Sequence, residues 1–111
     1  MEAVTSVKEY FDRLGERFVA DKASGVNTVV QYVLAGDAGG AYAVHVTDGA
    51  MNVTEGENEE AKVTIKMKDE DFVNMVNGKL KGQMAYMQGK LKVSGNIPIA
   101  MKMQNIFPPS K

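Results

Sequence analysis

His45 is the single imidazole in this chain of 111 residues, and there is no cysteine. Without a thiol there is no disulfide, no thiolate nucleophile, and no cysteine-ligated zinc or iron–sulfur centre. A histidine acting as general base needs a nucleophile and an orienting partner in reach. The sequence around His45 supplies neither, because Tyr42, Val44 and Val46 alternate there with Ala43, His45 and Thr47. That period of two puts His45 on the wet face of a strand. The acidic run Glu55-Gly56-Glu57-Asn58-Glu59-Glu60 lacks the ligand spacing of a calcium-binding loop and reads as a solvated connection. The glycine-rich segment 36–40 could cradle a phosphate only ahead of a helix, and no helix signal follows it. No catalytic residue, metal site or cofactor is therefore expected, and the chain reads as non-enzymatic.

The lysines are the next chemistry on offer. Residues 1–71 hold 14 acidic and 7 basic side chains, whereas residues 72–111 hold 6 lysines and no acid. Gly-Lys-Leu-Lys occurs twice, at 78–81 and 89–92. A charge asymmetry of this kind suggests an anionic partner without naming one. Nucleic acid is not expected, because Arg13 and Arg17, which could fork onto phosphates, both lie in the acidic half. The apolar inventory is larger than either. Met67, Met75, Met84, Met87, Met101 and Met103 all fall in the second half, and unbranched, polarisable methionine suits irregular or adaptable apolar walls. Residues 97–107 are apolar nearly all round, so a helix there is either buried on two sides or offers one side to something outside the chain.

These residues need a frame. Ser6-Val7-Lys8-Glu9 has capping-box spacing, and Val7, Phe11, Leu14 and Phe18 form a helical stripe interrupted by Gly15. Residues 20–26 read as an exit loop. Strands are expected over 28–35, 41–47, 50–54, 61–68 and 90–94, with Asp48-Gly49 as a hairpin turn. Asp69 is placed as the cap of a helix that Gly78 closes, and a short helix is expected over 83–88 with Met84 and Met87 on one side and Tyr86 on another. Asn96 should cap the last helix, Pro98 fits its first turn, and Pro108-Pro109 stops it. Because nothing follows those prolines to hold it, this helix is expected to act as a loosely held lid. The face of the sheet under the helices should carry Tyr32, Leu34, Tyr42, Val44, Val63, Ile65, Leu91 and Val93. The length suits one domain over 1–111. No apolar run is long enough to span a bilayer and the first residues lack a secretory signal, so the cytoplasm is the default location.

The elements Asp69-Glu70-Asp71-Phe72, Gly78-Lys79-Leu80, the run from Met84 to Gly95, and Ile99-Ala100-Met101-Lys102-Met103 resemble the sterol carrier protein type two family. Upstream, Val30 to Leu34, Gly39 to Tyr42 and Asp48-Gly49 fall where that family has its first strands and turns. The resemblance implies an α+β fold: a mainly antiparallel five-stranded sheet, with helices on one face enclosing an apolar tunnel. Its ligands would be a fatty acid, an acyl-CoA or a sterol-like lipid. Carried over by position, the tunnel candidates are Val30, Tyr32, Tyr42, Phe72, Met84, Met87, Ile99 and Met103. Many members end in a peroxisomal Ser-Lys-Leu address, whereas this chain ends Pro-Ser-Lys. Related domains also serve as accessory factors in lipid-quinone synthesis and as dimerisation modules. A second reading is therefore an interaction module or lipid-enzyme accessory factor docking through Ile99, Met103 and Phe107. Transient contact with an anionic membrane and a weak homodimer complete the expected partners.

Overall fold

Period-two alternation in five segments builds one sheet in a computed structural model that describes residues 3–109. Met1, Glu2, Ser110 and Lys111, on which the readings of a signal and of an address partly rest, lie outside the described residues. The strands β1 (Asn27–Ala35), β2 (Gly40–Thr47), β3 (Ala50–Glu55), β4 (Val63–Lys68) and β5 (Leu91–Gly95) lie in the order β3-β2-β1-β4-β5. Three neighbouring pairs are antiparallel, and β1 runs parallel to β4. The fold is thus α+β with a mostly antiparallel sheet. The parallel central pair is a feature that strand patterns alone do not show.

The register decides which side chains reach the core. Val30 stands between Val44 and Val63, Tyr32 between Tyr42 and Ile65, and Leu34 beside Met67. Ile65 and Met67 in turn face Val93 and Leu91. All of them join or pack against one hydrophobic cluster, so the expected face is the helix-covered one. A slip of one residue would have turned every one of them to solvent. On the other face Gln31 is buried. Its Nε2 donates to the carbonyls of Tyr42 (3.2 Å) and Gly56 (3.0 Å), and its Oε1 accepts from Asn58 N–H at 2.7 Å. This tether holds the acidic connection onto the sheet, a role its sequence does not announce.

The helices depart more from expectation. α1 (Val7–Asp12) starts at Ser6, whose hydroxyl accepts from Glu9 N–H at 3.1 Å. Glu9 reaches back to Thr5 N–H (2.6 Å) and not to Ser6, and that hydrogen bond holds its carboxyl below the usual glutamate range. The helix ends at Asp12, short of the expected stripe. Gly15 favours tighter turns there, and Leu14–Glu16 forms one turn of 3₁₀ helix. A second 3₁₀ turn, Ala20–Ala23, stands where an exit loop was expected and buries Ala23. The stripe survives the break, since Val7, Phe11 and Leu14 are buried and Phe18 packs on Phe107.

α2 (Asp69–Val76) begins with Asp69 as its first residue, and Lys68 occupies the cap position without a side-chain bond. The expected capping role of Asp69 is therefore corrected. Its Oδ1 accepts from Glu70 N–H (2.8 Å), and its Oδ2 accepts from Ala38 N–H (3.1 Å) in the β1–β2 turn. Gly36 makes that bridge feasible: its φ is +105°, and an added Cβ would lie 2.5 Å from the Asp69 carboxylate. Gly36→Ala should therefore lower stability by about 1–3 kcal/mol, measured as a fall in the urea midpoint at unchanged slope. α3 (Gly82–Met87) and α4 (Ile97–Ile106) complete the cover. Gly78 (φ +82°) and Gly89 (φ +77°) sit just after α2 and α3, so both Gly-Lys-Leu-Lys copies open on helix-ending glycines.

Candidate functional site

An aromatic layer lies where α1 and α2 meet the sheet. Phe72 stands edge-on to Tyr10 (5.1 Å between centroids) and to Tyr32 (5.7 Å), and stacks with Phe11 at 5.7 Å. Phe11 also stacks on Tyr42 at 4.2 Å. Edge-on and stacked pairs of this kind add to the burial of the rings themselves. Burial pushes the Tyr32 phenol far up, with Tyr10 adding to it, and burial likewise raises Tyr10 against the opposing pull of Arg17. Both phenols therefore stay neutral through the physiological range, and the layer carries no charge. Arg17 seals its edge. The guanidinium lies 5.2 Å from the centre of the Tyr10 ring and donates to the Val76 carbonyl (2.8 Å) and more weakly to that of Pro108 (3.4 Å).

α3 inverts the usual pattern. Its one buried residue is Ala85, while Met84, Tyr86 and Met87 are 47%, 57% and 73% exposed. The expectation that Met84 and Met87 face inward is not what the structure shows. Small residues on the inner side explain this. A Cβ on Gly82 would lie 2.7 Å from Gln104 Nε2 of α4 and 3.7 Å from Met75 Sδ of α2. The α3 backbone thus lies tight against its neighbours and leaves its bulky side chains outside.

α4 is capped by Asn96, whose side-chain Oδ1 accepts from Ile99 N–H at 3.2 Å, with Pro98 in the first turn. Met103, Ile106 and the following Phe107 are buried, Ile99 and Ala100 are half-buried, and Ile97 and Met101 face solvent. The helix therefore does both things its composition allowed. Its ends are held, contrary to the expected loose exit. Asn96 N–H donates to Lys62 O (3.0 Å), and Val19 N–H donates to Ile106 O (2.8 Å).

Of the eight residues singled out, Val30, Tyr32, Phe72 and Met103 belong to one buried cluster, with Tyr42 and Ile99 packed against it. Met84 and Met87 lie outside it on the surface of α3. Among the described residues, one open cleft, of ≈ 340 Å³, is lined by Thr5–Val7, Ala38 and α2, and another, of ≈ 530 Å³, lies beside the β2–β3 turn. None of the eight residues lines either cleft. Two rings of the layer are absent from those eight. Phe11 joins sheet and α2, which its helical stripe hinted at, and Tyr10, outside that stripe, packs edge-on to Phe11 and Phe72. The Thr28 hydroxyl is the one buried side-chain polar atom without a hydrogen bond among the described residues, and no sequence signal marks it. His45 Nε2 lies 3.1 Å from Thr54 Oγ1 on the neighbouring strand. Among the described residues no group of acidic, histidine or cysteine side chains could hold a metal.

The geometry has clear relatives. The SCP-2 sterol transfer family model matches residues 8–108. The chain belongs to the SCP-2 sterol transfer family. Hydroxysteroid dehydrogenase-like protein 2 of Bos taurus is 34% identical over 103 residues, covering 92% of this chain and 25% of that protein. Sterol carrier protein 2 of Homo sapiens is 34% identical over 100 residues, covering 90% of this chain and 18% of that protein. The chain thus spans a quarter or less of the length of these two curated relatives. Among solved structures, the sterol carrier protein domain 2 of Helicoverpa armigera superposes with a TM-score of 0.69 at 28% identity, covering 87% of this chain and 79% of that one. Within this SCP-2 member the helix-covered face of the sheet, the aromatic layer and the inner side of α4 form the apolar interior, and α3 forms its exposed shoulder. No helix among the described residues is long and apolar enough to cross a membrane.

Proposed function

We propose that this SCP-2 member is a non-catalytic lipid-binding or lipid-transfer domain over residues 1–111, holding a fatty-acyl or sterol-like lipid between sheet and helices. The observation that carries it is the family match over residues 8–108, on a chain whose helix-covered face is apolar from Val30 to Leu91. Small-molecule sites are concave and mostly apolar, and these side chains offer such a lining once the helices part. Val30, Tyr32 and Tyr42 would form the wall on the sheet, Phe72 the wall on α2, and Ile99 and Met103 the wall on α4. Met84 and Met87 stand outside these walls, because Gly82 and Ala85 hold the opposite side of α3 against its neighbours.

The test is mass spectrometry of solvent extracts from native protein, with displacement of a fluorescent fatty acid. A co-purifying lipid and saturable displacement are expected. Ile99→Asn, which puts an unpaired amide into the apolar layer, should weaken fatty-acid binding about tenfold or more. Repeated absence of lipid and of displacement would sink the reading. The rival reading, docking on a partner through Ile99, Met103 and Phe107, finds less support. Met103 and Phe107 are 4% and 6% exposed, and an interface needs them outside. An accessory role beside a lipid enzyme in a longer protein is compatible with the lipid-binding reading.

A further inference from the structure

We propose that the open face of the sheet, opposite the helices, is a contact surface for a second copy of this chain. Two patches of opposite charge lie side by side on that face. The first is the connection over 56–62, a strap that crosses from β3 to β4 over β2 and β1. Gly56 N–H donates to Ala41 O (2.8 Å) at one end, Lys62 N–H donates to Val29 O (2.9 Å) at the other, and Gln31 bonds the strap between them. Beneath it Gln31 and Ala43 are 3% and 0% exposed. Asn58 stiffens the strap: its Oδ1 accepts from Glu60 N–H at 2.8 Å, and its carbonyl accepts from Ala61 N–H at 3.2 Å. Glu57, Glu59 and Glu60 are thus presented to solvent from a backbone that is already fixed.

Strand register makes the second patch. The alternation that turns Val63, Ile65 and Met67 to the core turns Lys62, Lys66 and Lys68 to the open face. In β5 it turns Lys92 and Ser94 the same way. Lys66 and Lys92 are direct cross-strand partners. Like charges set opposite each other on one face repel. No ion pair among the described residues relieves this repulsion, and Glu57, Glu59 and Glu60 have no such partner either.

The chain itself supplies the complementary charge. In a two-fold contact one surface meets itself, so each patch can lie on a different patch of the partner. An axis running along the strands, between strap and lysines, sets the strap of each copy on the lysines of the other. The relief matches as well, since the strap stands above the sheet whereas Lys66, Lys92 and Ser94 are exposed on an uncovered part of it. No large apolar side chain stands exposed on this face, so the contact rests on charge and weakens with salt. None of these residues belongs to the lipid walls, and the contact is independent of the lipid-binding reading.

Sedimentation equilibrium from micromolar to millimolar protein tests it. Dimers should form at about 50 mM salt, and their dissociation constant should rise at least about tenfold at about 500 mM. Lys66→Glu/Lys92→Glu makes both patches acidic, and Glu57→Lys/Glu59→Lys makes both basic, so each variant alone should be monomeric. An equimolar mixture of the two should recover the dimer, which neither misfolding nor a purely structural role of these residues would produce. Wild-type protein that stays monomeric at low salt would overturn the contact. So would dimers that both charge reversals leave intact, as association through α3 and α4 would give, or a mixture that fails to recover them.

Discussion

Phe72→Ala should lower the unfolding free energy by about 3–5 kcal/mol, while Tyr86→Ala should change it by no more than about 0.5 kcal/mol. Both lose an aromatic ring from a short helix, so the contrast isolates burial. Phe72 is 1% exposed and touches the rings of Tyr10, Phe11 and Tyr32. Removing it leaves a cavity that the sheet on one side and α1 on the other cannot close. Against a typical total of about 5–15 kcal/mol, that loss is a large fraction. Urea midpoints at constant slope read both variants. The same experiment carries information about the ligand. If Phe72 borders the lipid, a saturating fatty acid should restore part of the Phe72→Ala loss, since a ligand that binds only the folded state stabilises it. Equal effects at 72 and 86 would overturn the assignment of α3 to the surface.

The sheet was legible because period two is a local signal with a global consequence. Once Val30, Tyr32 and Leu34 share a side, the pairing partners Val44, Tyr42, Val63, Ile65 and Met67 follow from burial. The hairpin at Asp48-Gly49 was legible for the same reason, with both residues at positive φ. What was not legible depended on contacts far away in sequence. Nothing around β4 says that it runs parallel to β1, because direction is set by the connection over 56–62, which is held against β1 by Gln31 and Val29. Gln31 looks like any wet-face residue until the Gly56–Asn58 segment folds onto it. α1 ends early because the residues after Asp12 satisfy their backbone in 3₁₀ turns, an outcome for which Gly15 gave only a weak warning.

The candidate site was legible in part, and the gap has one cause. Composition showed that α3 and α4 are rich in methionine, but it could not show which way they face. The spacing of Met84 and Met87 fits an inward stripe as well as an outward one. The decision was made by Gly82 and Ala85, small residues that let the α3 backbone approach Gln104 and Met75. Glycine and alanine are silent in a hydrophobic pattern, yet here they choose the buried side. The aromatic layer shows the converse. Tyr32, Tyr42 and Phe72 were identified from the resemblance, and the rings that complete it, Tyr10 and Phe11, come from a helix whose own stripe named only Phe11.

The second large effect concerns α4. Its amides from Ile99 to Ile106 should exchange at least about a hundredfold faster than that of Ile65, and should slow when a fatty acid is added. Ile65 lies in β4, paired on one side with β1 and on the other with β5, so its release needs the sheet to open. α4 is a single helix whose inward side is Ile99, Met103 and Ile106, and its outer side already presents Ile97 and Met101 to water. Lifting it exposes only the inner stripe and breaks two anchoring backbone bonds, Asn96 to Lys62 and Val19 to Ile106. Those anchors replace the loose exit first expected from Pro108-Pro109, and they shape the motion. Opening should release the Val19 bond together with the helix, so Val19 N–H should exchange at the rate of α4 and not with the sheet. A lipid lying under Ile99 and Met103 gives the closed helix new apolar contacts and slows all of these amides as one group. Protection of α4 equal to that of Ile65, unmoved by any fatty acid, would exclude α4 as the moving cover. Slowing confined to the α1 and α2 amides would place the lipid in the aromatic layer, away from α4.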